Sequence, residues 1–277
     1  MEKIWQAKVE TILNESIMQI IDTNKGLTNY NYRIITEHFD VIVRIPRSDS
    51  SNVVYRKHEE LAHKLIDRTH LDIKTIYYNP NNGMKITTFI SDLKTFNEYH
   101  ENDRIHRTAK LMRDLHQINQ CIGVSFNPVE RYRKYRSFVK KPLISDTIAE
   151  SIISGISQIS NTLTLCHNDW VPGNICFTPN KDYLIDYEYA GDNDPFFDVM
   201  SFITENDLTQ AEIDEFLVCY FDRIPTQTEN EILFNYQQFH NLLWCTWACM
   251  MYESRFEEIY KQIAVDKYNA IIQDQIE

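Results

Sequence analysis

Leu165-Cys166-His167-Asn168-Asp169-Trp170-Val171-Pro172-Gly173-Asn174, followed by Tyr183-Leu184-Ile185-Asp186-Tyr187-Glu188, is the stretch on which the reading of the fold turns. Leu163 to Cys166 and Tyr183 to Ile185 are short apolar runs that feed polar loops. Between them Ile175-Cys176-Phe177 is a third such run, with Pro179-Asn180 as a turn signal. A hairpin of this kind is expected to place Asp169, Asn174 and Asp186 at one end of a small sheet. Two carboxylates and an amide so placed suit phosphoryl transfer from a nucleotide. One carboxylate takes the acceptor's proton, while the amide and the second carboxylate hold Mg²⁺ on the phosphates. Asp-x-x-x-x-Asn alone is common by chance. Joined to His-Asn before it and to Ile-Asp-x-Glu twelve residues after it, it is far more specific than three unrelated acidic loop residues of an α/β protein.

Asp169 to Asn174 has the spacing of the protein-kinase catalytic loop. The continuation Ile185-Asp186-Tyr187-Glu188-Tyr189-Ala190, then Asn193-Asp194-Pro195, Asp198 and Phe202, resembles the signature of choline and ethanolamine kinases. That family belongs to the aminoglycoside phosphotransferase-like group, built like a protein kinase. Within it the stretch is most similar to bacterial choline kinases that feed phosphocholine decoration of surface glycans. The resemblance is tight over 163–205, moderate over 240–268 and loose over 26–46. It implies an α+β, two-lobed, protein-kinase-like fold, with a small strand-rich N-terminal lobe (1–91) and a larger helical C-terminal lobe (92–277). It also implies ATP and Mg²⁺, with Asp169 as catalytic base in reach of the acceptor hydroxyl and Asn174, Asp186 and Glu188 at the metal.

Composition sets bounds that agree with this. The chain has 277 residues, 43% hydrophobic and 12% aromatic, which is enough to fill a globular core. Its net charge of -12 argues against nucleic acid or an anionic membrane as the main partner and is compatible with a small cationic substrate. The six cysteines form no C-x-x-C and lie at no zinc spacing from histidine, so reduced thiols in a cytoplasmic protein are expected. No signal peptide or bilayer-spanning apolar run is visible, so no membrane insertion is expected. The oligomeric state is left open.

Along the N-terminal third, apolar residues from Ile4 to Ile21 recur at helical spacing, and Asn24-Lys25-Gly26 stops them. Arg33 to Thr36 and Val41 to Ile45 read as hairpin strands. Gly26-Leu27-Thr28-Asn29 between helix and hairpin is similar to the Gly-Gly-Leu-Thr-Asn phosphate loop of choline kinases, with Lys25 in place of the first glycine. A loop with one glycine wraps phosphates less closely, and Thr28 and Asn29 side chains are expected to compensate. Val43-Arg44-Ile45-Pro46 places an arginine where the fold has its phosphate-pairing cation, although alternation leaves open whether Arg44 faces solvent. A helix over 52–67 carries Glu59, in the position of the glutamate that pairs with that cation. Asn79-Pro80-Asn81-Asn82-Gly83 is a hairpin turn between strands at 73–78 and 84–90. The second of these is expected to end in a hinge whose backbone, at Thr88, Phe89 and Ile90, reads adenine.

From Lys94 onward the pattern is helical apart from the motif hairpin. Helices are expected over 105–118, 127–139, 146–160, 196–205 and about 229–256. His116 reads as a packed helix residue and the basic run Arg131 to Arg136 as a solvated face. Trp244 and Trp247, three apart on the longest helix, share a face. Such pairs are usually core. Choline kinases carry Trp-x-x-Trp here, and the resemblance implies ring walls for a quaternary ammonium, with Glu205 as its carboxylate and Tyr260 as a further wall; Tyr252 and Tyr268 compete for that place. The activity implied is ATP-dependent phosphorylation of the choline hydroxyl. A kinase of ethanolamine, an aminoglycoside or thiamine, and an inactive kinase-like binding module, are the alternatives.

Overall fold

The computed structural model describes residues 2–23, 29–47, 54–159 and 162–274. Its contacts divide the chain into two compact units, neither continuous in sequence: 1–100 with 173–190, and 101–172 with 191–277. The motif hairpin therefore packs with the N-terminal strands.

The first unit is built on an antiparallel sheet of β1 (Gln19–Asp22), β2 (Asn29–Ile35), β3 (Asp40–Pro46), β4 (Thr75–Tyr78) and β5 (Lys85–Thr88), in the order β1-β2-β3-β5-β4. Helix α1 (Glu2–Leu13) lays Val9 and Leu13 on Ile34, Val41, Val43, Met84 and Ile86. The helix ends eight residues short of Ile21. Asn14 turns left-handed (φ 55), the Glu10 carboxylate takes the Ile17 N–H, and the β-branched Ile20 and Ile21 join β1 against Ile34 and Arg33. Strand pairing overrode a helical period that the isoleucines satisfied equally well.

On β3, Val41 and Val43 face this core, so alternation sends Arg44 to the opposite face. That face is not solvent. Helix α2 (Arg56–Ile66) covers it, and Arg44 is 6% exposed. Gly83 closes the β4–β5 turn at φ 75; a Cβ there would run into the Arg56 guanidinium. A second, three-stranded sheet joins β6 (Lys94–Thr95), β8 (Ile175–Phe177) and β9 (Asp182–Leu184).

In the second unit β7 (Thr164–Cys166) pairs with β10 (Gly191–Asn193). The runs expected to form one small sheet are thus split: β8 and β9 form the hairpin, and β7 pairs elsewhere. Helices α3 (Arg104–His116), α4 (Pro128–Phe138), α5 (Asp146–Ser157), α6 (Pro195–Glu205), α7 (Gln210–Phe221), α8 (Gln227–Arg255) and α9 (Glu258–Asp274) complete the unit. Capping boxes Thr209/Glu212 and Thr226/Glu229 start α7 and α8. Every residue of α8 from Gln238 to Met251 is buried, so it is the central helix, packed by α4, α5, α6 and α9. The basic α4 is not uniformly solvated: Arg131 is buried, donates to the Phe126 carbonyl and lies over the Phe126 ring.

Candidate active site

In the first unit the charged residues converge on Arg44. Its Nη1 donates to Asp186 Oδ1 at 2.6 Å, and its Nη2 to Glu59 Oε1 and to the Gly83 carbonyl at 3.0 Å. Glu59 is fully buried and also accepts from Arg56 Nη1 (3.0 Å) and the Tyr78 hydroxyl (2.9 Å). Burial opposes its charge, yet Arg44, His63 and Arg56 hold it well below the usual carboxylate range. Burial likewise works against Arg44, and Glu59, Asp186 and Glu188 raise it above the ordinary arginine value. The expected strand–helix ion pair is formed, and the neighbouring Glu60 turns outward to Lys64.

The β8–β9 hairpin supplies the oxygens beside this cation. Asn174 and Asp186 flank it at one end, where the Ile185 N–H bonds the Asn174 carbonyl at 2.9 Å. Asp186 is left-handed (φ 66), a conformation that short polar side chains tolerate. Glu188 lies in the 3₁₀ turn Tyr187–Tyr189, buried, and accepts from Asn29 Nδ2 at 3.0 Å. Burial, then the Asp186 carboxylate, pushes Glu188 up to about 7 against the pull of Arg44. The Asn174 amide before β8 and the Asp186 and Glu188 carboxylates after β9 offer oxygen donors of the hard kind that Mg²⁺ takes. Asn29 thus reaches the hairpin, whereas Thr28 and the rest of its loop lie outside the described residues.

The hinge stretch is narrower than expected as a reader of a base. The Thr88 N–H is taken by the Lys74 carbonyl and the Phe89 N–H by the Asp40 carbonyl, while the Phe89 ring lies under the Arg33 guanidinium. Sheet pairing consumes those two donors. Among the described residues none takes the Ile90 N–H.

In the second unit, the loop after β7 is held by its backbone. Asp198 of α6 accepts from the His167 and Asn168 N–H groups at 2.9 and 2.7 Å, and from His116 Nε2 at 3.1 Å. Ser201 accepts from the Trp170 N–H and Asn206 donates to the Trp170 carbonyl. Asn168 is left-handed (φ 65) and is clamped by Asn193. Asp169 sits half-buried between these fixed points. His116 therefore packs, as expected, and also orients Asp198. His116, Cys166 and Asp198 bring ligand-type atoms within 4.8 Å of one another, but both Asp198 oxygens are committed to N–H donors, which makes the group an anchor for the loop.

The same unit holds the aromatic cluster. Trp244 and Trp247 meet edge to face at 5.7 Å, and Trp247 meets Tyr260 at 5.5 Å. The tryptophans retain 8% and 7% exposure, while Tyr260 retains none and is bound by Arg255 through its hydroxyl. Tyr260 therefore braces Trp247 from behind and presents no open wall. Tyr252, its competitor, is partly exposed and packs on Phe256; Tyr268 is partly exposed. Glu205 ends α6 with Lys267 Nζ 2.5 Å from its Oε1. Nothing in the sequence singles out Lys267, or the fully buried His240 that accepts the Trp244 N–H at 2.8 Å. A lysine within α9 and a histidine four residues before a tryptophan belong to no motif.

Comparison with known proteins gives one result at the level of sequence and another at the level of fold. The chain is 24% identical to Protein LicA of Haemophilus influenzae over 239 residues, which span 80% of this chain and 70% of that one. Its fold matches the crystal structure of choline kinase LicA from Streptococcus pneumoniae with a TM-score of 0.83 at 23% identity, covering 99% and 98% of the two chains. It matches a structure of LicA in complex with AMP with a TM-score of 0.80 at 21% identity, over 98% of each chain. The fold is thus α+β and protein-kinase-like. The family model for choline/ethanolamine kinase matches residues 20–236, and the chain belongs to that family.

Proposed function

We propose that the protein transfers the γ-phosphoryl group of ATP to the hydroxyl of choline, giving phosphocholine. The observation that carries the substrate is the edge-to-face pair Trp244 and Trp247, each with a small exposed patch, in a chain of this family. Choline has no N–H to donate, so its cation is bound by ring faces. A neighbour named as a choline kinase supports the same reading.

Asp169, on a loop fixed by Asp198 and Ser201, accepts the proton of the choline hydroxyl. Asn174, Asp186 and Glu188 would hold Mg²⁺ as hard oxygen ligands, and the ion would supply charge neutralisation on the phosphates. Arg44, kept charged by Glu59, orients Asp186, and on this reading its guanidinium is the cation that answers the phosphates. Asn29, with Thr28 in its loop, contacts phosphate, and the backbone of Ile90 at the end of the Thr88–Ile90 hinge reads adenine. The N-terminal strands serve the nucleotide and the helical remainder serves the acceptor. Trp244 and Trp247 face the trimethylammonium group, with Tyr260 as their support and Glu205 in the adjoining wall. No helix of the described residues is long and apolar enough to cross a membrane.

The family covers ethanolamine as well as choline, and the Asp169 and Asp186 chemistry is common to both. A coupled assay of ADP release over choline, ethanolamine, thiamine and kanamycin decides among them. Choline is expected to give the highest kcat/KM. Preferred turnover of thiamine or kanamycin, or none with any amine, overturns the proposal.

A further inference from the structure

Lys267 of α9 lies buried against the end of α6. Its Nζ is 2.5 Å from Glu205 Oε1 and donates to the Thr204 carbonyl at 3.0 Å. His240 of α8 connects this pair to the rings. The Thr204 hydroxyl donates to the Met200 carbonyl, so at 2.8 Å it can only accept from His240 Nδ1. The histidine proton is thereby fixed on Nδ1, which leaves Nε2 to accept the Trp244 indole N–H at 2.8 Å. His240 Nδ1 also lies 3.6 Å from Glu205 Oε1. A neutral imidazole thus stands between the ion pair and the indole, and Lys267, Thr204, His240 and the Trp244 indole follow one another in a single buried series.

We propose that Lys267 is a specificity-determining residue: by pairing with Glu205 it cancels the carboxylate charge beside Trp244, so that ring faces alone attract the cation and a quaternary ammonium is favoured over a primary one. The inference rests on the amino-alcohol reading above. A primary ammonium carries three N–H donors that water satisfies, and inside a pocket it needs acceptors in exchange. A neutral ion pair with one oxygen already taken meets that need poorly. A trimethylammonium group has no donors to satisfy and a larger apolar surface, so the same wall costs it little. Lys267 acts on the substrate through Glu205, and Glu205 is read as half of an internal pair rather than as the counter-charge the resemblance implies.

Calorimetric binding of tetramethylammonium and methylammonium, which needs no turnover, tests this in the full-length protein. Lys267→Met frees the Glu205 charge and is expected to lower the tetramethylammonium preference by about fivefold or more, mainly through tighter methylammonium. Lys267→Arg keeps the pair and the preference. Glu205→Gln leaves Lys267 a buried cation without a counter-charge and weakens both ligands about tenfold. The double variant Glu205→Gln/Lys267→Met carries no charge and regains tetramethylammonium binding to within about threefold of the wild type. A double variant as weak as Glu205→Gln alone shows that Glu205 is itself the counter-charge, and overturns the proposal. An unchanged preference in a Lys267→Met protein of near-native melting temperature does the same. If Lys267→Met does not fold, the double variant carries the test. A wild type that follows the expected binding pattern yet does not phosphorylate choline overturns the assigned reaction and leaves the role of Lys267 standing; one that binds neither cation overturns both.

Discussion

Around Asp186 the protein gathers charge, and around Trp244 it cancels it. In the first region Arg44 is held among Glu59, Asp186 and Glu188, with Arg56 nearby, so three carboxylates share two guanidinium groups and a negative excess remains on the hairpin. Burial first, and then the neighbouring Asp186 carboxylate, push Glu188 up to about 7. In the second region the carboxylate Glu205 has its own lysine, the histidine is neutral and the two indoles meet edge to face. A site that accepts a metal needs uncompensated oxygens. A site that accepts a bulky cation by its faces needs desolvated rings and tolerates little free charge. On the proposed reading the two regions answer these two needs with different residue types, and each can be broken separately.

The largest effect is expected from Asp186→Ala. Mg²⁺-dependent transfer should fall below detection, while part of the metal-free nucleotide affinity survives. Arg44 keeps Glu59 as a partner, so the fold is retained and thermal melting checks this. Near-normal turnover in Mg²⁺ would remove the hairpin from the mechanism.

Next in size is Asp169→Asn, which keeps the shape and removes the charge. A drop in kcat of roughly two to four orders of magnitude is expected, the usual worth of a positioned base, with the Kd for MgATP nearly unchanged. Weakened MgATP binding at unchanged kcat would move Asp169 to the metal.

Trp247→Ala tests the neutral region. A ring face is worth about 0.5 to 2 kcal/mol to a desolvated cation, so KM for choline should rise roughly threefold to thirtyfold. Trp247→Leu keeps apolar area without the quadrupole and should stay impaired. Ethanolamine should suffer less, since its ammonium draws less on the ring faces and can still bond the Asp169 carboxylate. If both substrates are unaffected while the melting temperature drops, the pair is core, and Tyr260 and Trp247 merely pack.

The smallest effect is a tilt in stability with pH, measured without divalent metal. His240 is buried neutral, with its pKa well below 6.5, because burial and then Lys267 oppose its charge. The unfolded chain takes up a proton below 6.5 that the folded chain refuses. Its contribution is therefore full above that value and is lost as pH falls. Glu188 works in the other direction: its folded pKa of about 7 lies above the ordinary 4.5, so its contribution is present at low pH and is lost as pH rises through 7. Melting temperatures from about pH 5 to 8 should accordingly lose their acid-side fall in His240→Gln and their neutral-side fall in Glu188→Gln. Unchanged slopes in both variants would refute the two assignments.

Residues whose roles depend on near neighbours in the chain were legible in the sequence. Asp169 and Asn174 stand five apart and Asp186 follows by twelve, so the short apolar runs fix the loops that carry them. Trp244 and Trp247 share a face because helical geometry makes them do so. Apolar period likewise marked α2, α3, α5, α6 and α8, and Asn-rich turn chemistry marked the β4–β5 hairpin. What only the tertiary structure decided depends on partners far off in the chain. Strand alternation could send Arg44 to water, and it was α2 and the hairpin, 142 residues away at Asp186, that turned its other face into an interior. Ile20 and Ile21 fit a helix and a strand equally, and β2 settled the matter by offering backbone partners. The strand before Asp169 found β10 instead of β8, and the N–H groups of Thr88 and Phe89 were taken up by Lys74 and Asp40. Glu205 reads from the sequence as a free carboxylate. Only the fold brings Lys267 to it, because the charge a substrate meets is set by everything packed around a group and not by the group alone.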